Sequence, residues 1–230
     1  MTTKKFCIIG LGYFGLNLAK ILTQLGAEVL AIDKDLAKVE EISPYVTVAV
    51  QLDATEKSAL LSQGLNDFDA VIVAIGEGFE SSITTTAILQ EIGVKVIYNR
   101  IVSQLHQRLL SLMGITNLLV PEAEAADHLA RQLITPAMID SFKISDKHSV
   151  FVVQVPDKLV GKSIIDSKIR TDYNLNVVTI KKGKLVSIKT RDSIFAAPTI
   201  GVPLPTYIFE AEDILVLFGT EKDFENFTSE

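Results

Sequence analysis

The chain has 230 residues, 48% of them hydrophobic and 22% charged, with a net charge of −6 and a single cysteine. That length holds two modest domains, each with a core of its own, and the composition excludes a disordered chain. The acidic balance argues against a nucleic-acid backbone as partner, and the lone Cys7 excludes an intrachain disulfide or a cysteine-based metal site.

The opening "MTTKKF" has none of the segments of a secretory leader, so a cytoplasmic location is expected. "KKFCIIG" at 4–10 reads as a strand. "FGLNLAKILTQLG" at 14–26 reads as a helix closed by Gly26, and "AEVLAID" at 27–33 as a second strand. Asp35 is the expected N-cap of the polar-faced helix "KDLAKVEEIS". A strand at "VTVAVQLD", a helix at "EKSALLSQG" and the almost wholly apolar strand "DAVIVAIG" follow. "SSITTTAILQEIG", "VKVIYN", "SQLHQRLLSLMG", "TNLLV" and "EAEAADHLARQLI" continue as helix, strand, helix, strand and helix. Apolar strands alternating with helices, with no hairpin signal between them, predict an α/β fold built on a Rossmann-like doubly wound parallel sheet.

The pattern changes after Thr135. Residues 136–148, "PAMIDSFKISDKH", hold a helix breaker and a polar cluster and are expected to be a linker or crossover helix. A small α+β C-terminal domain should fill 149–230. Its strands are "VFVVQVP", "NVVTIKKGKLVSIKT" with a hairpin at "KKGK", and "DILVLFG", and "EKDFENF" is a terminal helix.

The chemistry sits in "GLGYFG" at 10–15, which follows a strand and opens a helix. Gly10 permits the tight turn, Gly12 lets the backbone approach a pyrophosphate, and Gly15 lets the helix pack on the sheet, with the helix dipole aimed at the phosphates. Asp33, at the end of the second strand, can accept both ribose hydroxyls and repel a 2′-phosphate, which favours NAD(H) or an adenosine nucleotide over NADP(H). Asp53 has two readings, a contact to an adenine amino group or a cap for the helix beginning near Thr55. His106, His128 and His148 read as exposed helix or loop residues. No acid–base set for hydride chemistry, hydrolytic triad or P-loop lysine is present, so no enzyme activity is expected. An NAD-dependent oxidoreductase and a nucleotide-sensing regulator of some other partner remain the alternatives. A redox-sensing repressor would need a basic helix-turn-helix that this sequence does not contain.

Taken together, "CIIGLGYFG", "AIDKD", "VQLDAT", "DAVIVAIG" and "NLLVPEAEAADHLA" resemble the regulator-of-potassium-conductance domain. The chain is similar to the cytosolic regulatory subunits of Trk/Ktr-type potassium uptake systems over roughly residues 4–135. "VPDKLVGKSI" and "FEAEDILVLFG" are similar to their smaller C-terminal domain. The change of pattern divides the chain into 1–135, 136–148 and 149–230, and the resemblance implies a dimer assembling into an octameric ring under a membrane-embedded potassium transporter subunit. It implies gating by NAD(H) or by ADP, ATP or AMP. The implied ligand residues are Gly10, Gly12 and Gly15 for phosphates, Asp33 for the ribose, and Asp53 with Ala54 for adenine, and Tyr13, Phe14, Lys34 and Arg100 are expected beside them in the cofactor-binding set. Ala74, Ile75 and Gly76 are implied as the cleft floor. Glu122 matches a family glutamate that helps hold a divalent cation; as a residue it also reads as a first-turn acid favoured by the helix dipole.

Where this chain has Tyr13, many ATP-responsive relatives have an arginine that clamps the terminal phosphate. Tyrosine offers one neutral hydroxyl, so the ligand is expected to be ADP, AMP or NAD(H) at least as readily as ATP, with Arg100 as a substitute charge. The cluster Ile164, Ile165, Leu175 and Val177, with Arg170 and Asn174, has two readings: an ordinary core and dimer face, or the cyclic di-AMP site that some relatives carry. Ala125, Ala126, Leu129, Ala130 and Leu133 form a small-residue surface that suits packing either between subunits or on the chain's own sheet.

Overall fold

The computed structural model describes residues 3–134, 138–183 and 198–229, which divide into two compact units, 1–123 and 124–230. The first unit alternates strands and helices: β1 (Lys5–Ile9), α1 (Tyr13–Gln24), β2 (Glu28–Asp33), α2 (Leu36–Ile42), β3 (Val48–Gln51), α3 (Lys57–Leu61) and β4 (Ala70–Val73). It continues through α4 (Phe79–Glu91), β5 (Ile97–Arg100), α5 (Gln104–Leu112) and β6 (Asn117–Leu119). All pairings in this sheet are parallel, in the order β3-β2-β1-β4-β5-β6.

The order explains the apolar runs. Cys7 and Ile9 face one side with Val71 and Val73, while Ile8 faces the other with Ala31 and Ile72, and both sets are buried. Helices cover both faces, so successive residues of a central strand must all be apolar. Each fully buried aliphatic side chain contributes roughly 1.5–3 kcal/mol. Cys7 lies wholly inside, and burial pushes its thiol pKa far above the ordinary value. The chain reverses direction across the sheet between β1 and β4, and a doubly wound fold opens its ligand crevice at the carboxyl ends of those strands.

Local signals placed the helix ends as expected. The Asp35 carboxylate accepts from Ala37 N–H at 3.0 Å and caps α2. Gly26 takes φ +88° just after α1, a conformation that side chains other than glycine rarely adopt.

α6 (Pro121–Ile134) runs across the division between the units, which falls at Ala123/Glu124 and not near Thr135. The linker or crossover helix expected at 136–148 is corrected from Met138 onward: Met138–Lys143 is a strand, β7, antiparallel to β8 (His148–Gln154). Its inward positions are Met138 and Asp140, and an aspartate at an inward position hides the period of a strand. Asp140 is stable there beside His128, whose Nε2 lies 3.3 Å from its Oδ1.

The second unit is completed by α7 (Ile169–Tyr173), β9 (Asn176–Lys182), β10 (Asp213–Thr220) and α8 (Glu221–Thr228), with the sheet order β7-β8-β10-β9. α8 lays Phe224 flat on Phe151, ring centroids 4.2 Å apart, over a core that includes Leu215, Leu217 and Phe227. Buried Asp213 accepts from the Tyr207 hydroxyl and from Glu210 N–H, each at 2.8 Å, and lies 2.9 Å from Lys182 Nζ. The second strand of the "KKGK" hairpin falls outside the described residues.

Candidate functional site

The β1–α1 loop is built by three glycines with different jobs. Gly10 has φ +96°, and a Cβ there would lie 3.0 Å from Ile75 N and 3.1 Å from Ala74 C. At Gly15 a Cβ would overlap the carbonyl oxygen of Gly10 and approach Ala74 Cβ to 3.2 Å, so the closeness of α1 to the sheet depends on its absence. Gly12 is the opposite case, since an added Cβ would meet nothing within 4 Å. It is the N-cap of α1 in extended conformation, and the first turn carries neither a side-chain cap nor an acidic residue. The first helical bond is Leu16 N–H to Gly12 O at 2.9 Å, so the amides of Tyr13, Phe14 and Gly15 have no acceptor inside the helix. Open space beside uncapped amides at the positive end of a helix suits a phosphate.

Asp33 lies at the carboxyl end of β2, where Oδ2 accepts from Leu11 N–H at 2.7 Å and Oδ1 from Asp35 N–H at 2.9 Å. It is only 8% exposed, with Lys38 Nζ 4.0 Å away. One carboxylate thus fixes both the glycine loop and the start of α2, and each oxygen keeps a further lone pair for a ribose hydroxyl.

Asp53 is not the N-cap of α3, which is Glu56; it accepts from the Thr55 hydroxyl at 2.7 Å and amide at 2.9 Å. The Thr55 hydroxyl, then its amide, with a smaller contribution from Lys34, hold the carboxyl below its ordinary range. Lys34 is exposed, and its carbonyl accepts from the Gln51 side chain. Ala54 is buried, and its carbonyl accepts from Thr85 at 3.2 Å.

Ala74, Ile75 and Gly76 follow β4, and Ala74 N–H bonds Ile9 O at 2.7 Å, which ties this floor to β1. A Cβ at Gly76 would lie 2.5 Å from Arg100 Nη1. Arg100, at the end of β5, places its Cζ 5.9 Å from the Phe14 ring centroid, and Nη2 donates to Glu122 Oε1. Its Nε is buried without a hydrogen-bond partner. Glu122, in the first turn of α6, is held below the ordinary carboxylate range by its own backbone N–H and then by Arg100. Tyr13 is 90% exposed. The structure therefore brings Gly10, Gly12, Phe14, Gly15, Ala74, Ile75, Gly76 and Arg100 around one loop, with Asp33 bonded to it.

A buried polar set beneath this cleft is not evident from the sequence. Ser82 Oγ donates to Asn99 Oδ1 at 3.0 Å, Asn99 Nδ2 to Thr86 Oγ1 at 2.7 Å, and Thr86 Oγ1 to Ser82 O at 2.7 Å. These bonds lock α4 onto β5 one residue before Arg100. The polar run "SSITTT" in α4 was the available signal. His106 also departs from its expected exposure: it is buried, its ring edge-on to Phe79 at 5.4 Å, and desolvation lowers its pKa. His128 pairs with Asp140 and His148 stacks on Phe218 at 5.5 Å.

In the second unit Leu175 is in the core, with Ile164 and Val177 packed against it, whereas Ile165 and Arg170 are exposed. Asn174 ends α7 at φ 54° and donates to Asp223 Oδ2 at 3.2 Å. No residue of α6 is buried, and Leu129 and Leu133 are exposed. Among the described residues, no three His, Cys, Asp or Glu side chains form a metal-holding group.

The TrkA-N domain family matches residues 6–121. The Ktr system potassium uptake protein C of Bacillus subtilis (strain 168) is 36% identical over 97% of this chain and 96% of its own length. The Ktr system potassium uptake protein A of the same organism is 33% identical over 99% and 96%. Among solved structures, the GsuK RCK domain superposes with a TM-score of 0.63 at 16% identity, over 99% of this chain and 47% of that one. The GsuK channel bound to NAD gives 0.60 at 17% identity, over 96% and 38%.

Proposed function

The chain belongs to the TrkA-N domain family, and from that premise we propose that it is the nucleotide-sensing, cytosolic gating subunit of a potassium uptake system, acting on a membrane-embedded ion-conducting partner. The observation that carries the ligand reading is the uncapped start of α1 beside the open face of Gly12, with the Asp33 carboxylate bonded into the same loop. The α1 amides would hold the phosphates and Asp33 the ribose. Asp53 and Ala54 would flank the adenine, and Ala74 to Gly76 would floor the cleft. A bound nucleotide supplies negative charge and a rigid ring system there, and no bond need be made or broken. The non-enzymatic reading rests on the relatives, which are named as uptake proteins.

Among the described residues no helix is long and apolar enough to cross a membrane. In this reading the subunit meets the inner face of the cell membrane through its partner and self-associates, with the exposed face of α6 as the contact. A divalent cation at Glu122 would need further oxygens from nucleotide phosphates or from a second copy. Cyclic di-AMP on the second unit would meet the exposed Ile165 and Arg170.

A ligand shifts a conformational equilibrium only by its difference in affinity for the two states. Titration calorimetry with ADP, ATP, AMP and NADH, together with native mass spectrometry, tests the reading. We expect binding of ADP, AMP or NADH at least as tight as ATP, without turnover, by an oligomer. A tenfold preference for ATP would refute the inference drawn from Tyr13, and failure to bind any of the four would refute the sensor itself.

A further inference from the structure

Arg100 lies beside the phosphate cradle, against Phe14 and Gly76, and its surroundings differ from those of a settled structural ion pair. Its guanidinium has five N–H donors in a planar fork. One nitrogen, Nη2, engages Glu122, whose side chain is 61% exposed, whereas Nε is buried and has no partner. The side chain lies against the Phe14 ring in the first turn of α1 and over Gly76, whose missing Cβ makes the room. The fork therefore stands between two anion positions, the Glu122 carboxylate on one side and the amide-lined space at the start of α1 on the other.

We propose that Arg100 is a two-position phosphate reader, exchanging its guanidinium between Glu122 and a nucleotide phosphate, so that phosphate binding releases the Glu122 carboxylate in the first turn of α6. The inference rests on the nucleotide reading of the cleft and names how that cleft is regulated. The exchange favours the phosphate. An exposed carboxylate is a weak competitor, because solvent screens the pair. Once released, Glu122 keeps its own backbone N–H bond at the positive end of α6. The reader also makes up for Tyr13, which is neutral and almost wholly exposed.

The test measures affinities for ADP and adenosine, in EDTA so that no divalent cation contributes, on the full chain and on Arg100→Gln, Arg100→Lys and Glu122→Gln, with thermal unfolding as the check of folding. Arg100→Gln should weaken ADP about ten- to a hundredfold while leaving adenosine within about twofold, the loss expected for one charge-assisted contact. Arg100→Lys, which keeps the charge but not the fork, should fall between. Glu122→Gln should tighten ADP by about two- to fivefold, as removal of an exposed competing charge predicts. Joined to Arg100→Gln, it should have no further effect. A structural role alone would weaken both ligands in all three single variants, and that result would overturn the proposal, as would a Glu122→Gln variant that binds ADP no more tightly than the parent chain. If the unaltered chain binds neither ADP nor adenosine, the nucleotide reading itself falls. Binding that is unchanged in all the variants removes the reader and leaves the nucleotide reading standing.

Discussion

Gly12 and Gly15, three residues apart, should fail in opposite ways when each is replaced by alanine. At Gly15 the new Cβ would overlap the Gly10 carbonyl oxygen and press to 3.2 Å against Ala74 Cβ. A backbone carbonyl cannot rotate aside, so α1 must move off the sheet, at an overpacking cost of about 3 kcal/mol. Alanine recovers up to about 1 kcal/mol as the better helix former. The net loss of about 2 kcal/mol is a large share of the roughly 5–15 kcal/mol that holds a domain together. At Gly12 the Cβ enters open space, and φ of −66° is ordinary for alanine. Replacing a glycine N-cap by alanine costs under about 1 kcal/mol. That Cβ does occupy the approach to the α1 amides, and should weaken ADP about tenfold or more while sparing adenosine. Urea unfolding and calorimetry on the two variants read both effects. If Gly15→Ala is as stable as the parent, or Gly12→Ala binds ADP as tightly, the division of labour within the loop is wrong.

Asp33→Asn should destabilise the first unit by about 1 kcal/mol or more in urea unfolding, because the amide oxygen can replace only one carboxylate oxygen and turns an NH2 toward either the buried Leu11 N–H or the part-buried Asp35 N–H. The same variant should weaken adenosine, which has no phosphate; unchanged adenosine binding would remove Asp33 from the ribose. His106 gives a pH dependence whose sign is fixed by its burial. Its folded-state pKa lies below the ordinary value of 6.5, so the unfolded chain takes up the proton first and stability falls as the pH drops from 7 toward the folded pKa. His106→Gln should show a shallower loss between pH 7 and pH 5 in parallel urea titrations, and identical slopes would mean that His106 does not titrate on unfolding.

The first unit was legible because its strands are covered on both faces, and continuous apolar runs such as "AVIV" announce that geometry. The glycine loop was legible for a related reason, since steric need at Gly10 and Gly15 leaves a spacing in the sequence. The rest was hidden where a single residue works against the local period. Asp140 interrupts the alternation of β7, and its partner His128 lies twelve residues away. In α5 the helix period would bury Leu105 and Leu112, yet the structure buries His106 and Leu110 and leaves those two leucines at 60% and 77% exposure. Asn99, Ser82 and Thr86 are joined across 13 to 17 residues of sequence, a separation at which no motif marks a hydrogen bond. Arg100 was nameable as a spare charge, but its contacts with Phe14, Gly76 and Glu122 exist only in three dimensions.

A rigid cradle binds but does not by itself sense. The loop from Gly10 to Gly15 is held by Leu11 to Asp33, by Gly10 N–H to Ile32 O at 2.8 Å and by the fit of Gly15 against Gly10, so it offers every nucleotide the same amides. Equal affinity for two conformations shifts nothing, however tight the binding. The discriminating contact must come from a group with two positions, and the exchange of Arg100 between Glu122 and a phosphate, as proposed above, would supply one. Its reach is bounded. Carrying a two-state equilibrium from 1:99 to 99:1 takes about 5.5 kcal/mol of differential binding, whereas one charge-assisted contact supplies roughly 1.5–3 kcal/mol. One cleft is therefore too weak to throw a gate alone, and two to four clefts acting on a shared conformation are enough. On this arithmetic, the proposed gating calls for the proposed self-association, and a monomeric variant that still binds ADP should lose its gating.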